Sequence, residues 1–278
     1  MKDKITLGCL LFLTDENRSR RYDIVQQSIF SLNFFQKQEN VDLLIINNGN
    51  KDKDDISSFI SEDCQLVTKN KIINLNKNYF DIASHMCSYW HALENGNKYF
   101  AYTYDDFVFT DDKWIDEAIE FMNLRQDISC IRIPSYIHND AMYNTKYTSK
   151  DQNPDAVRHE TGAGNKQLDN QFSWLIGTHN FYKSNWLPNS RPMLWRTSEF
   201  GHMINSFKTL PVMQSFEALM YEYANINYIN WTSGFIDKGV CYTFPVKTSE
   251  RTLVSNHYRD VSIDVLEFRK AYDDASNT

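Results

Sequence analysis

Two adjacent carboxylates, Asp105 and Asp106, close an aromatic run in YFAYTYDDFVFTDDKW, residues 99 to 114. An ionised carboxylate taken from water without a partner costs several kcal/mol or shifts its pKa until it is neutral. A pair at the end of a buried strand is therefore held by a cation, an arginine or backbone donors. Other polar groups stand at comparable places. Thr14 follows the apolar run KITLGCLLFL (4 to 13), and Asn47 and Asn48 end VDLLIINNG (41 to 49).

The elements that must position these groups alternate. KITLGCLLFL is a short continuous apolar run of the kind that buried parallel strands show, and Tyr22, Val25, Ile29 and Leu32 then recur at helical spacing. VDLLIINNG reads as a second strand, Ile56 to Ile60 as a short helix, KIINL (71 to 75) as a third strand, and Ile82, Met86, Trp90 and Leu93 as the face of a helix stopped by Asn95-Gly96. YFAYTY (99 to 104) is the fourth strand, a helix is predicted from Asp111 or Asp112, and ISCIRI (128 to 133) is the fifth strand. Repeated βα units predict an α/β fold with a mostly parallel sheet and helices on both faces. Ligands of such sheets bind at the carboxyl ends of the strands, where Thr14, Asn47, Asn48 and the Asp105–Asp106 pair all fall.

After Pro134 the pattern loosens, and TGAGNK (161 to 166) reads as part of a binding loop or lid. FSWLIGTHNFY (172 to 182) reads as a strand, 198 to 207 and 211 to 223 as helices, VCYTFPV (240 to 246) as a last strand, and DVLEFRKAYDDASNT as a short helix with a frayed end. With neither repeat nor linker, residues 1–278 are expected to form a single domain.

Composition narrows the class. A formal charge of −7 in 278 residues argues against non-specific binding to nucleic acid or to an anionic membrane, both of which need a positive field. Five cysteines form an odd set without C-x-x-C spacing, as reduced core thiols would. The opening segment lacks a small-residue cleavage site, and no stretch reaches ~18 uninterrupted apolar residues, so a cytoplasmic chain without a membrane span is expected.

The order of these features resembles the GT-A glycosyltransferases, particularly the large family of inverting, nucleotide-sugar-dependent (family 2-like) enzymes. The stretch LFLTDENRSRRYDIVQQSIFSL matches the strand, Thr-x-x-x-Arg turn and helix of that family, with Thr14 and Arg18 at the two marked positions. IINNGN stands where the family has an acidic turn, Asn47 replacing the acid. NLNKNYFDIASH, HALENGNKYF and the acidic strand end then follow in the family's order. The resemblance implies a GT-A sheet whose residues 1–133 bind the nucleotide sugar, and a smaller mixed region, 134–278, that binds the acceptor.

It further implies a cofactor. A nucleotide-sugar diphosphate leaves poorly until a divalent ion neutralises it, and Mn2+ or Mg2+ takes hard oxygen ligands while bridging phosphates. Aligned on the hydrophobic exit of the family's Asp-x-Asp motif, Asp106 holds the metal position, Tyr104 replaces the first acid, and Asp105 is left for the ribose or the metal. His257, in LVSNHYRD, matches a late metal-binding histidine. A UDP-type donor would meet Asn47, Asn48 and Asp81 through its base and ribose, and Arg18 through its phosphates; a solvated helix start and a plain turn are the bland alternatives for these residues. Gly177 would admit the donor sugar to the backbone, with His179 touching its hydroxyls.

An inverting transfer also needs a carboxylate base for the acceptor hydroxyl. Glu199, at the helix start in TSEFGHMINSF, and Glu217, in MQSFEALMYEYA, are the candidates. Trp174, Trp186, Trp195 and Trp231 supply aromatic faces for a carbohydrate acceptor or belong to the core. Two rival readings share the sheet. A sugar-1-phosphate nucleotidyltransferase would carry a Gly-rich loop after the first strand, and LFLTDENRSRR has no glycine. An inactive binding module of the same fold would explain Tyr104 as lost metal binding.

Overall fold

The chain is described here by a computed structural model covering residues 2–13, 15–49, 53–66, 71–133, 135–137, 168–184, 192–212, 216, 218–220, 223, 232–236, 240–243 and 261–277. The sheet begins with β1 (Ile5–Leu11), β2 (Val41–Asn48), β3 (Lys71–Leu75) and β4 (Tyr99–Tyr104), all mutually parallel and ordered 3-2-1-4. β1 is buried at every position because both of its faces are covered, which is why it reads as an unbroken apolar run. Helices α1 (Asp15–Ser31), α2 (Asn33–Gln36) and α3 (Lys53–Ser58) follow β1 and β2. α4 (Ile82–Glu94) links β3 to β4 and lies close on β1. A Cβ at Gly8 would sit 1.8 Å from the Ser88 hydroxyl, so glycine is what permits this approach.

Beyond β4 the chain forms β5 (Phe107–Phe109), α5 (Trp114–Leu124), β6 (Ile128–Arg132), β7 (Ser135–Ile137), β8 (Leu168–Ile176), β9 (His179–Ser184), β10 (Met193–Arg196), α6 (Thr197–Ile204), β11 (Thr209–Pro211), β12 (Thr232–Ile236), β13 (Cys241–Thr243), β14 (Ser262–Asp264) and α7 (Val265–Ser276). The nine-stranded sheet runs β3-β2-β1-β4-β10-β6-β12-β9-β8. It takes strands from both halves of the chain, with β9 and β10 antiparallel to the rest. One core cluster packs on the face covered by α1, α2 and α5, the other under α4, α6 and α7.

Three expectations are corrected, and one strand is new. β10, absent from the sequence reading, enters antiparallel between β4 and β6, with Met193 opposite both Tyr102 and Arg132. Four residues, MLWR, are too few to show a period, and their burial comes from the strands on either side. FSWLIGTHNFY is a hairpin rather than one strand, turning at Gly177, whose φ is +56°. The helix after β5 starts at Trp114, since the Asp111 carboxylate accepts from the Lys113 N–H in a turn. Pro211, expected to open the helix over 211 to 223, is instead the last residue of β11, which pairs with β14, whereas Phe216, 218–220 and Tyr223 are helical. In VCYTFPV, Cys241–Thr243 lies between β5 and β7 in a small three-stranded sheet; 244–246, and the 161–166 loop, fall outside the described residues.

Candidate active site

The register brings the carboxyl ends of four strands together: Leu11 lies opposite Asn47, Leu10 opposite Tyr104, and Asn48 opposite Leu75. Asp105, 4% exposed, accepts the Phe12 N–H at 2.7 Å, tying the exit of β4 to the exit of β1. This is the backbone donor that a buried acid requires. Asp106 follows it, half buried, at the meeting point of the strand ends.

The amides after β2 have definite partners. Asn47 Nδ2 donates to Asn74 Oδ1 at 2.9 Å. Asn48 Nδ2 donates to Asn78 Oδ1 (2.8 Å) and to the Phe80 carbonyl (3.1 Å), and its Oδ1 accepts the Tyr79 N–H at 2.8 Å. Gly49, at φ +82°, has no room for a Cβ, which would lie 2.5 Å from the Asn78 nitrogen. The amides thus lock the end of β2 to the link between β3 and α4. Asp81 caps α4 by position and is half buried; its carbonyl accepts from Ser84 Oγ at 2.8 Å and faces His85 Nδ1 at 2.9 Å. His85 packs against Tyr102 with ring centres 3.8 Å apart and planes tilted by 40°, and burial pushes its pKa down to about 4. Its bond to the Asp81 carbonyl places the proton on Nδ1, so the buried Nε2 is an acceptor without a partner among the described residues.

Gly177 and His179 are brought to α5. Glu117, 9% exposed, accepts from the Thr178 N–H (3.0 Å), the Thr178 hydroxyl (3.2 Å) and the His179 N–H (3.1 Å), and one of its oxygens lies 2.5 Å from His179 Nδ1. His179 Nε2 faces Asp111 Oδ2 at 3.3 Å. A Cβ on Gly177 would meet Glu117 Oε1 at 2.2 Å. The glycine is thus required by a carboxylate of the protein, and the imidazole has carboxylates at both nitrogens.

Glu199 is corrected as a base for this edge. Arg196 pairs with Tyr99, the first residue of β4, and the Thr197 N–H bonds to the Lys98 carbonyl. α6 therefore begins at the amino edge of the sheet, the length of β4 (roughly 20 Å) from Asp106. Thr14, Glu217 and His257 lie outside the described residues, and Arg18 falls in the first turn of α1. Trp195 is fully buried core, and Trp174 lies under the Arg125 guanidinium at 4.3 Å; Trp186 and Trp231 lie outside the described residues. Sequence reading missed Glu117, Asp111, His85 and Arg132. Arg132, 2% exposed at the end of β6, was the most legible of them as a lone cation inside the apolar run ISCIRI.

No protein-family model and no curated protein sequence matches the chain. Solved structures do. Glucosyl-3-phosphoglycerate synthase from Mycobacterium tuberculosis, in complex with Mn2+, UDP and glucosyl-3-phosphoglycerate, superposes at a TM-score of 0.52 and 10% identity, over 91% of this chain and 76% of that one. The same enzyme with phosphoglyceric acid gives 0.51 and 12% over the same shares. The chain has the GT-A fold. In this sheet β1 to β4 are parallel in the order 3-2-1-4, β10 lies between β4 and β6, and Asp105–Asp106 follow directly on β4. A third structure, residues 1–349 of S. aureus TarS, matches at 0.49 and 9%, over 87% of this chain and 60% of that one.

Proposed function

We propose that the chain is a glycosyltransferase that moves a sugar from a nucleotide diphosphate donor, UDP-type, to a carbohydrate acceptor with inversion. The observation that carries this reading is the Asp105 clamp on Phe12, which leaves Asp106 half buried where β1, β2 and β4 end on a GT-A sheet. The neighbour with the same fold binds UDP and Mn2+.

The donor set fits a cation carried in with the diphosphate. Among the described residues no three His, Cys, Asp or Glu form a group able to hold a metal ion. Mg2+ or Mn2+ in phosphate sites needs one or two carboxylates beside the phosphates and water, so Asp106, with His257 from the later segment, is a sufficient protein contribution. Once bound, the ion neutralises the departing diphosphate. In this reading Asn47, Asn48 and Asp81 meet the base and ribose of the donor, Arg18 meets its phosphates, with Thr14 in the same stretch after β1, and Gly177 and His179 meet the donor sugar. Glu217 is the proposed base, because its neighbour Phe216 packs on His85, 5.1 Å between ring centres, beside the first turn of α4. The five free cysteines, all buried, suit the reducing conditions of the cytoplasm.

The test is a screen of nucleotide sugars for Mn2+- or Mg2+-dependent hydrolysis and transfer. Asp106→Ala is expected to abolish turnover while moving the thermal midpoint by less than ~2 °C, the effect of about 1 kcal/mol in a chain of this size. Retained turnover would remove the metal assignment. A nucleotidyltransferase would instead release pyrophosphate from a nucleoside triphosphate and a sugar 1-phosphate.

A further inference from the structure

A serine hydroxyl inside a helix ordinarily turns back on a carbonyl of the preceding turn. Ser61 and Ser88 do so, bonding to the Ser57 and Ser84 carbonyls. Ser28, fully buried in α1, points out of its helix instead. Its Oγ donates to the Phe107 carbonyl at 2.6 Å and lies 3.2 Å from the Tyr104 carbonyl, 79 and 76 residues further along the chain.

Those two carbonyls bracket the acidic pair. Tyr104 ends β4, Phe107 begins β5, and Asp105 and Asp106 are the two turn residues between them. One hydroxyl proton thus serves both ends of the turn, with the shorter bond on Phe107 and a longer, shared contact on Tyr104. The Asp105 carboxylate supplies a third fixed point by accepting the Phe12 N–H. Turn types differ in the φ and ψ of their two central residues, so tying both ends of the turn limits the directions that Asp106 can take. β5 has a separate anchorage two residues on, where Ser31 Oγ accepts the Phe109 N–H at 3.0 Å and Cys241 of β13 pairs with Phe109. The Ser28 bond therefore falls on the acidic turn itself.

The geometry points to Ser28 as a positioning residue for Asp106: its hydroxyl fixes the turn that aims this carboxylate at the divalent ion. The assignment rests on the metal-dependent glycosyltransferase reading above. Groups that orient a metal ligand without touching the metal commonly contribute about 10–100-fold to its affinity.

The experiment uses the whole chain as wild type, as Ser28→Ala and as Ser31→Ala, the last removing a buried hydroxyl from the same helix while leaving the ties of the turn in place. Mn2+ is titrated with UDP, ADP or GDP at saturation, whichever the wild type binds tightest, and the free ion is followed by its electron paramagnetic resonance signal. Thermal midpoints are recorded without metal or nucleotide. Both substitutions are expected to lower the midpoint by about 3–8 °C, since each strips a buried backbone group of its partner. Only Ser28→Ala is expected to weaken Mn2+ binding, by about ten-fold or more, whereas Ser31→Ala should stay within about two-fold of wild type. Mn2+ affinity in Ser28→Ala within about two-fold of wild type, an equal loss in Ser31→Ala, or a Ser28→Ala chain that does not fold would each overturn the positioning role and leave the glycosyltransferase reading standing. A wild type that takes up no Mn2+ with any of the three nucleotides would overturn both.

Discussion

At the scale of single residues, burial separates acids and bases that look alike in sequence. Asp105 and Asp106 are neighbours, yet Asp105 is bound to the Phe12 N–H. Asp105→Ala is expected to cost about 1–3 kcal/mol by leaving that donor unsatisfied, read as a lowered urea midpoint, in contrast to Asp106→Ala. His85 gives a pH prediction. Burial depresses its folded pKa from 6.5 to about 4, so the unfolded chain binds more protons between these values. Its contribution is complete above pH 6.5 and is lost as pH falls toward 4, about 2 kcal/mol between pH 7 and pH 5. Urea unfolding at the two pH values should show that loss in wild type, and His85→Phe should remove most of it. An acid dependence unaltered by the substitution would refute the assignment.

At the scale of elements, the hairpin of β8 and β9 is held to α5 by Glu117. Glu117→Ala leaves the Thr178 and His179 N–H groups without their acceptor. Gly177→Ala drives a Cβ into the same carboxylate at positive φ. Each is expected to cost about 3 kcal/mol. Because the clash needs the carboxylate, the double substitution should cost at least ~1 kcal/mol less than the sum. Strict additivity in a double-mutant cycle would show that Gly177 is required by its backbone alone. The same contact explains why Gly177 and His179 drew attention in the sequence: a glycine beside a histidine reads as ligand contact, whereas the partner that demands it, Glu117, lies about 60 residues earlier. The longer strands and helices of the first half, such as β1, β2, β4 and α4, were legible because each carries a full period of buried positions, whereas the short α2 and β5 do not. β10 was not, since four residues show no period and acquire their burial from β4 and β6.

For the whole molecule, all five cysteines are free and buried, and burial pushes the Cys64 thiol up to about 12 and those of Cys9, Cys87 and Cys130 upward as well. Native protein is expected to react with less than one equivalent of a thiol reagent at pH 8, and with five after denaturation. Reaction of two or more thiols in the native state would contradict this packing. The alternation of apolar runs determined the parallel half of the sheet, the reduced thiols and the gathering of polar residues at one edge, because those properties follow from local periodicity and from where strands must end. Only the tertiary structure decided that Glu199 stands at the opposite edge, that Asp105 is a clamp, and that Phe80 is held at positive φ by the amides of Asn48 and Asn78. Each depends on a partner brought from elsewhere in the chain by strand register, which no local pattern encodes.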